Sequence, residues 1–152
     1  MNIIFFSNSC WSINNFRINL IISLLKKRYK IIILAPFDGY EKNLIKIGCK
    51  VEDIKIQNNS INIFADFFLI INLFFNIFSH RKNSVLLNFT IKPLIFGSFV
   101  SGLMKLPTIN MITGLGTVFI KDNYLTRLVL ILYKIAFKKV YCVLFQNIDD
   151  KK

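Results

Sequence analysis

The stretch Asn2-Ile3-Ile4-Phe5-Phe6-Ser7-Asn8-Ser9-Cys10-Trp11-Ser12-Ile13-Asn14-Asn15-Phe16-Arg17 decides how the fold is read. Its first part, Asn2 to Phe6, is a short apolar run, the pattern of a strand buried on both faces. Its middle is a turn of small polar residues. Its last part opens a helix, which Ser12 or Asn14 is placed to cap and which runs to about Tyr29. Phe16, Leu20, Ile21, Leu24 and Leu25 recur there at helical spacing, and Lys26, Lys27 and Arg28 suit the negative end of the helix dipole.

The same alternation continues along the chain. Lys30 to Ala35 reads as a second strand stopped by Pro36. Tyr40 to Ile47 reads as a short helix with Gly48 at its C-cap, and Val51 to Ile56 as a third strand. After the polar turn Gln57 to Ser60 comes an oily helix, residues 61–80, then a basic loop, His80 to Asn83. Val85 to Asn88 is a fourth strand. Pro93 to Met104 is a helix whose small residues Gly97, Ser98, Ser101 and Gly102 suit close packing on a sheet. Thr108 to Ile112 is a fifth strand, followed by the glycine loop Thr113-Gly114-Leu115-Gly116. Asn123 to Lys139 is a helix and Val140 to Phe145 a sixth strand. Alternating strands and helices, with strands apolar on both faces, predict an α/β, Rossmann-like, doubly wound parallel sheet of about six strands with helices on both faces. The 152 residues make a single domain.

Composition narrows the partners. The chain is 54% hydrophobic with a net charge of +12, which excludes a disordered tail. Cys10, Cys49 and Cys142 are isolated and form no C-x-x-C, so buried reduced thiols are expected, with no metal and no cofactor. The lysines are scattered and carry no nucleic-acid motif, so the charge reads as attraction to anionic lipid or phosphorylated substrates, not nucleic acid. The N-terminus lacks the basic region and the apolar length of a signal peptide. In the oily helix the polar residues Asn62, Asp66, Asn72, Asn76 and Ser79 fall within an arc of roughly 140° at about 100° per residue. That describes a packed or membrane-surface helix; a spanning helix remains the alternative.

Loops at the carboxyl ends of parallel strands hold the candidate site. In the first, Asn8, Ser9 and Trp11 lead into a helix N-terminus and Arg17 follows one and a half turns on. Backbone N–H groups there suit a phosphate or a sugar hydroxyl, and Trp11 suits a sugar face. In the second, Thr90 and Lys92 follow the fourth strand, where Lys92 suits an anionic group. In the third, Thr113, Gly114 and Gly116 let backbone approach a ligand closely. Each has a plain structural reading beside it: capping with a packed Trp, a solvated Lys, a tight turn. The loops do not contain G-x-G-x-x-G.

Together these segments resemble the N-terminal domain of bacterial glycosyltransferases of family 4, which have the two-domain GT-B fold. The matching stretches are Ser7-Asn8-Ser9 with Trp11-Ser12 and Asn15-Phe16-Arg17, Leu34-Ala35-Pro36, Gly48-Cys49, Asn88 to Pro93, and Phe96-Gly97-Ser98. They continue with Ile112 to Gly116, Val118-Phe119, and Phe145-Gln146-Asn147 followed by Asp149-Asp150. The nearest subgroup in pattern adds sugars to lipid-linked saccharides for surface polysaccharide or glycan assembly. The resemblance implies a retaining transferase whose N-terminal half binds the acceptor through Asn8, Ser9, Trp11, Arg17, Thr90, Lys92, Thr113, Gly114 and Gly116. It also implies docking on the anionic inner-membrane surface, at the cytoplasmic face. The nucleotide-sugar would be bound by a C-terminal half through two Glu about eight apart. This chain has only Glu41 and Glu52, eleven apart, and Leu87 and Asn88 where relatives often carry a His. A truncated or split form, inactive alone and prone to aggregate or to cling to membranes, is therefore expected, with no catalytic residue assigned. A non-catalytic, membrane-peripheral binding domain is the alternative.

Overall fold

A computed structural model describes residues 1–57, 62–112 and 124–146. Its core is one parallel sheet of six strands in the order β3-β2-β1-β4-β5-β6. The strands are β1 (Asn2–Phe6), β2 (Lys30–Ala35), β3 (Lys50–Asp53), β4 (Ser84–Phe89), β5 (Thr108–Ile112) and β6 (Cys142–Phe145). The helices are α1 (Cys10–Lys26), α2 (Glu41–Lys46), α3 (Ile63–His80), α4 (Ser98–Leu103) and α5 (Tyr124–Ala136). The order reverses between β1 and β4, which pair in register from Asn2 opposite Ser84 to Phe6 opposite Asn88. This is the α/β Rossmann-like arrangement that the alternating pattern predicts, and its switch point is the gap between the ends of β1 and β4.

Side-chain alternation along each strand builds two cores. Ile3, Phe5, Ile31, Ile33, Leu87 and Phe89 meet Cys10, Ile13 and Ile21 of α1 and Leu44 of α2. Phe5 and Phe89 stack across adjacent strands, with ring centroids 5.6 Å apart. On the other face Ile4, Phe6, Ile32, Leu34 and Leu86 meet Leu69, Leu73 and Ile77 of α3 and Val100 of α4. The second face also holds a polar seam: Asn88 Nδ2 donates to Asn110 Oδ1 at 2.8 Å, and Asn110 Nδ2 donates to Ser98 Oγ at 2.8 Å. The expectation that small residues of the segment Pro93 to Met104 pack closely on the sheet is met at Gly97, just before α4, where a Cβ would lie 2.1 Å from Asn88 Oδ1.

Several predicted boundaries move, each for a local reason. Helix α1 starts two residues before Ser12, because Ser9 takes the extended cap conformation and its side chain accepts from Ser12 N. Strand β3 ends at Asp53, not Ile56: Asp53 pairs with Ala35, and the next residue of the β2 side is Pro36. The predicted helix from Pro93 begins as a wide π turn, Pro93–Gly97, before α4. The last predicted helix is α5 followed by a tight turn, Phe137–Lys139, and β6 begins at Cys142. Strands β3 and β6 are the sheet's edges and are half-exposed, so burial on both faces holds only for the inner strands.

Helix α3 differs most from its reading. Leu69, Leu73 and Ile77 face the sheet. The opposite side is not polar: Phe64, Phe67, Phe68, Ile71, Phe75 and Phe78 are exposed. The polar arc runs from one flank, at Asn72, Asn76 and Ser79, into the inner stripe at Asp66, with Asp66 and Asn76 half-buried.

Candidate functional site

The carboxyl ends of β1, β2 and β4 converge at the switch point. Ser7, the residue after β1, is fully buried, and its hydroxyl lies 2.8 Å from that of Ser12 in the first turn of α1. Ser9 caps the helix, and its side chain takes the N–H of Ser12. The N–H of Trp11 donates to Asp38 Oδ2 at 2.8 Å. Asp38 lies in the loop after β2, which Glu41 closes by accepting from the N–H groups of Asp38 and Gly39. The donors of the first helical turn are thus partly committed to a carboxylate. A second negative group is disfavoured beside them, and neutral hydroxyls suit the loop better. Sequence reasoning missed Asp38, since only its distance along the chain separates it from an ordinary turn Asp.

Cys10 sits beneath this loop, with its sulfur and the oxygens of Asp38 and Glu41 within 4.8 Å of one another. Burial, followed by the charges of Asp38, Glu41 and Asp53, pushes its thiol up to about 12. A neutral thiol is a small apolar group, and this one packs into the first core. The backbone N–H groups of Gly39, Asp38 and Glu41 itself hold the Glu41 carboxyl below its ordinary value, with its own N–H the largest cause.

Arg17 gives the site its cation. Its guanidinium lies over the Phe89 ring, 5.2 Å from the centroid, and Nη1 donates to Phe16 O at 2.9 Å. With the Gln146 amide oxygen turned to face it, Gln146 accepts from Nη1 and Nη2, each at 3.2 Å. Nε is buried and has no hydrogen-bond partner among the described residues. Burial lowers the pKa of Arg17. The group nevertheless keeps its charge at neutral pH, given how high an ordinary guanidinium titrates. Arg17 therefore ties α1 to the ends of β4 and β6 and holds its charge there. Trp11 and Phe16 stand beside it edge to face, with centroids 5.5 Å apart and both rings exposed.

The loop after β4 completes the arrangement. Thr90 has φ of +71°, a conformation that a β-branched residue adopts only under constraint. Its hydroxyl donates to the Phe89 carbonyl. Lys92 Nζ meets Asp66 Oδ1 of α3 at 2.6 Å, and both side chains are mostly buried. The anion beside Lys92 is thus one the chain supplies itself. Beyond this pair lies a cavity of about 460 Å³ lined by Asp53, Lys55, Gln57, Asp66, Phe68 and Asn72. The structure brings Asn8, Ser9, Trp11, Arg17, Thr90 and Lys92 to one edge of the sheet. Thr113, Gly114 and Gly116 lie outside the described residues.

Comparison with known proteins gives this edge a context. A family model described as "Glycosyl transferase 4-like" matches residues 2–147. The N,N'-diacetylbacillosaminyl-diphospho-undecaprenol alpha-1,3-N-acetylgalactosaminyltransferase of Campylobacter jejuni is 27% identical over 162 residues, covering 97% of this chain and 40% of that protein. The chain thus spans well under half of that relative. Among solved structures, Acinetobacter baumannii MurG superposes with a TM-score of 0.56 at 12% identity, covering 95% of this chain and 45% of its own. A UDP-N-acetylglucosamine 2-epimerase from Listeria monocytogenes superposes with a TM-score of 0.62 at 8% identity, covering 93% of this chain and 38% of its own. At these identities the structural likeness speaks for the fold alone.

Proposed function

The chain belongs to the glycosyl transferase 4-like family, and from that premise we propose that it is the acceptor-side half of a retaining glycosyltransferase. The acceptor is a lipid-linked saccharide of surface polysaccharide or glycan synthesis. The donor is a nucleotide-sugar, held by a C-terminal half of the enzyme. The working place is the cytoplasmic face of the inner membrane, with the anionic lipid surface as a second partner.

One observation supports the reading: the Arg17 guanidinium of α1 is held over the Phe89 ring at the end of β4 and beside Gln146, on the helix that Ser9 and Trp11 open after β1. An acceptor that is both sugar and diphosphate needs these groups side by side. Trp11 offers a ring to a sugar face. Arg17 offers a charge whose position the Phe89 ring and Gln146 fix in advance, so little ordering is needed on binding. Lys92, through Asp66, positions the loop that carries Thr90. Asn8, Thr113, Gly114 and Gly116 complete the proposed acceptor contacts. Catalytic carboxylates are not assigned to this half, because Glu41 and Asp38 are spent on backbone donors.

The test is a titration of the labelled full chain with a short-chain, water-soluble polyprenyl diphosphate saccharide, followed by NMR. Amide shifts at Ser9, Trp11 and Thr90 are expected, with no turnover of nucleotide-sugar by the chain alone. An absence of shifts at millimolar ligand, or sugar transfer by the isolated chain, contradicts the proposal.

A further inference from the structure

The cavity beside α3 lies outside the contacts assigned so far. It sits where β3 ends and α3 begins and holds about 460 Å³, within the range of roughly 300–1,000 Å³ of small-molecule pockets. Asp53, the last residue of β3, lines it with Lys55 and Gln57 from the segment that follows. Helix α3 contributes Asp66, Phe68 and Asn72. At about 100° per residue, Phe68 and Asn72 fall on the flank between the buried and the exposed stripes of the helix. Asn72 belongs to the polar arc of α3, and the cavity gives that arc something to face.

Charge and hydrogen bonding define what fits. Asp53 and Asp66 bring two negative charges. Lys55 brings one positive charge, and Lys92, with Nζ 2.6 Å from Asp66 Oδ1, brings another. In a chain of net charge +12 this balanced spot gives an anion no advantage, and a phosphate would meet two carboxylates. The walls offer donors and acceptors instead. Asp53 is fixed through Oδ1, which accepts from Phe37 N at 3.1 Å, and Asp66 through Oδ1, which accepts from Lys92 Nζ. Each keeps a second oxygen that can accept from a hydroxyl. Asn76 Nδ2 donates to Asn72 Oδ1, which leaves the Asn72 amide hydrogens to donate. Gln57 offers both kinds of group. Phe68, 68% exposed, adds an aromatic face. Carboxylates and amides around a ring match a sugar, whose hydroxyls donate and accept and whose C–H faces are apolar.

We propose that this cavity is a saccharide subsite, which takes a neutral sugar unit of the acceptor while Arg17, on the α1 side of the sheet, holds the diphosphate. Its link to the acceptor rests on the functional reading above; its match to a sugar rests on the cavity alone. The loop after β4 joins the two places. Phe89 lies under Arg17, and Lys92, three residues on, reaches Asp66. Three residues span at most about 11 Å of backbone, a separation that a diphosphate carrying a short saccharide can bridge.

The experiment uses the full chain and two water-soluble analogues, a polyprenyl diphosphate saccharide and the same polyprenyl diphosphate without sugar. Gln57→Ala and Asn72→Ala combined are expected to weaken binding of the first about tenfold, as for one or two lost hydrogen bonds, and to leave the second unchanged. Both side chains are exposed, so the double variant should keep its far-UV spectrum. In NMR titrations of the wild type, methyl glycosides of glucose, galactose and N-acetylgalactosamine should shift the amides of Gln57, Phe68 and Asn72, and inorganic phosphate should not. Unchanged affinity of the double variant for the saccharide analogue overturns the inference. So does equal weakening of both analogues, because the cavity would then not read the sugar, and so do shifts with phosphate in place of glycosides. In each of these cases, shifts at Ser9 and Trp11 with the saccharide analogue would leave the functional reading standing. If neither analogue binds while the glycosides shift the cavity amides, the functional reading falls and the saccharide subsite stands.

Discussion

Helices α1 and α3 cover opposite faces of one sheet with nearly the same length, 17 and 18 residues. Their inner faces are alike: Cys10, Ile13 and Ile21 in one, Leu69, Leu73 and Ile77 in the other, all buried. Their outer faces are not. Alongside Phe16, Leu20 and Ile22, α1 exposes Asn15, Asn19, Ser23, Lys26 and Lys27. Most of what α3 exposes is phenylalanine. The sheet dictates only the inner stripe, so the outer stripe is free to record what lies beyond the molecule. For α1 that is largely water; for α3 it is the lipid surface proposed as this domain's partner. The fastenings differ in the same sense. Helix α1 is held at its start by Ser9 and Asp38. Helix α3 is tied to the domain near both ends by side-chain contacts, Lys92 with Asp66 and His80 with Glu52.

The sharpest way to break this comparison is to treat the inner faces unequally. Leu73→Ala and Ile21→Ala should each lower unfolding free energy by about 2–5 kcal/mol in urea titrations, since both open cavities in a packed core. A negligible loss for Leu73→Ala would mean that α3 is not seated on the sheet at all. Phe67→Ser, on the outer stripe, should change stability by less than about 0.5 kcal/mol.

The seam between β4 and α4 comes next. Gly97→Ala drives a methyl into Asn88 and should cost about 2–3 kcal/mol, because the Asn88–Asn110–Ser98 hydrogen bonds must then break or shift. Thermal melts of Gly97→Ala and of Gly97→Ala combined with Asn88→Ala test this, with the second substitution expected to recover part of the loss.

Lys92→Met removes the cation from a mostly buried pair and strands Asp66 beneath α3. A loss of about 2 kcal/mol is expected, and Asp66→Asn combined with Lys92→Met should be milder than Lys92→Met alone. Thr90→Gly should raise stability by about 1 kcal/mol, by releasing the left-handed backbone, while weakening acceptor binding.

The smallest effect concerns acid. Burial works to raise the Glu52 pKa, and the hydrogen bonds from Lys50 and His80 outweigh it, so the folded value lies below the ordinary 4.5. A depressed carboxyl contributes stability above its unfolded pKa and loses it as pH falls through the folded value. Glu52→Gln should therefore flatten the acid limb of stability below about pH 4.5. The change should be under about 1 kcal/mol, since Glu52 is partly exposed.

The inner strands β1, β2 and β4 were legible because each carries an apolar run too short for a helix, interrupted only by Asn88 near the end of β4. The start of α1 was not: Ser9, Ser12 and Asn14 are all competent caps, and Asp38, 27 positions after Trp11, favours the turn that starts at Ser9. Edge strands read too long because lost pairing, not lost hydrophobicity, ends them. Periodicity located the polar arc of α3 but did not mark its outer side, because each flank of that arc is apolar. At the candidate site, the loop residues were legible by type and by their place after strands. Their internal partners, Asp38, Asp66 and Phe89, are products of the topology that no spacing announces.

An acceptor half should bind the acceptor and leave the donor to another domain. Isothermal titration against two ligands tests it most directly: a water-soluble polyprenyl diphosphate saccharide and a nucleotide-sugar. An acceptor half binds the first, at least about tenfold more weakly in Arg17→Gln as expected for a lost charged hydrogen bond, and shows no measurable binding of the second. Binding of the nucleotide-sugar alone, or acceptor binding indifferent to Arg17, would contradict it.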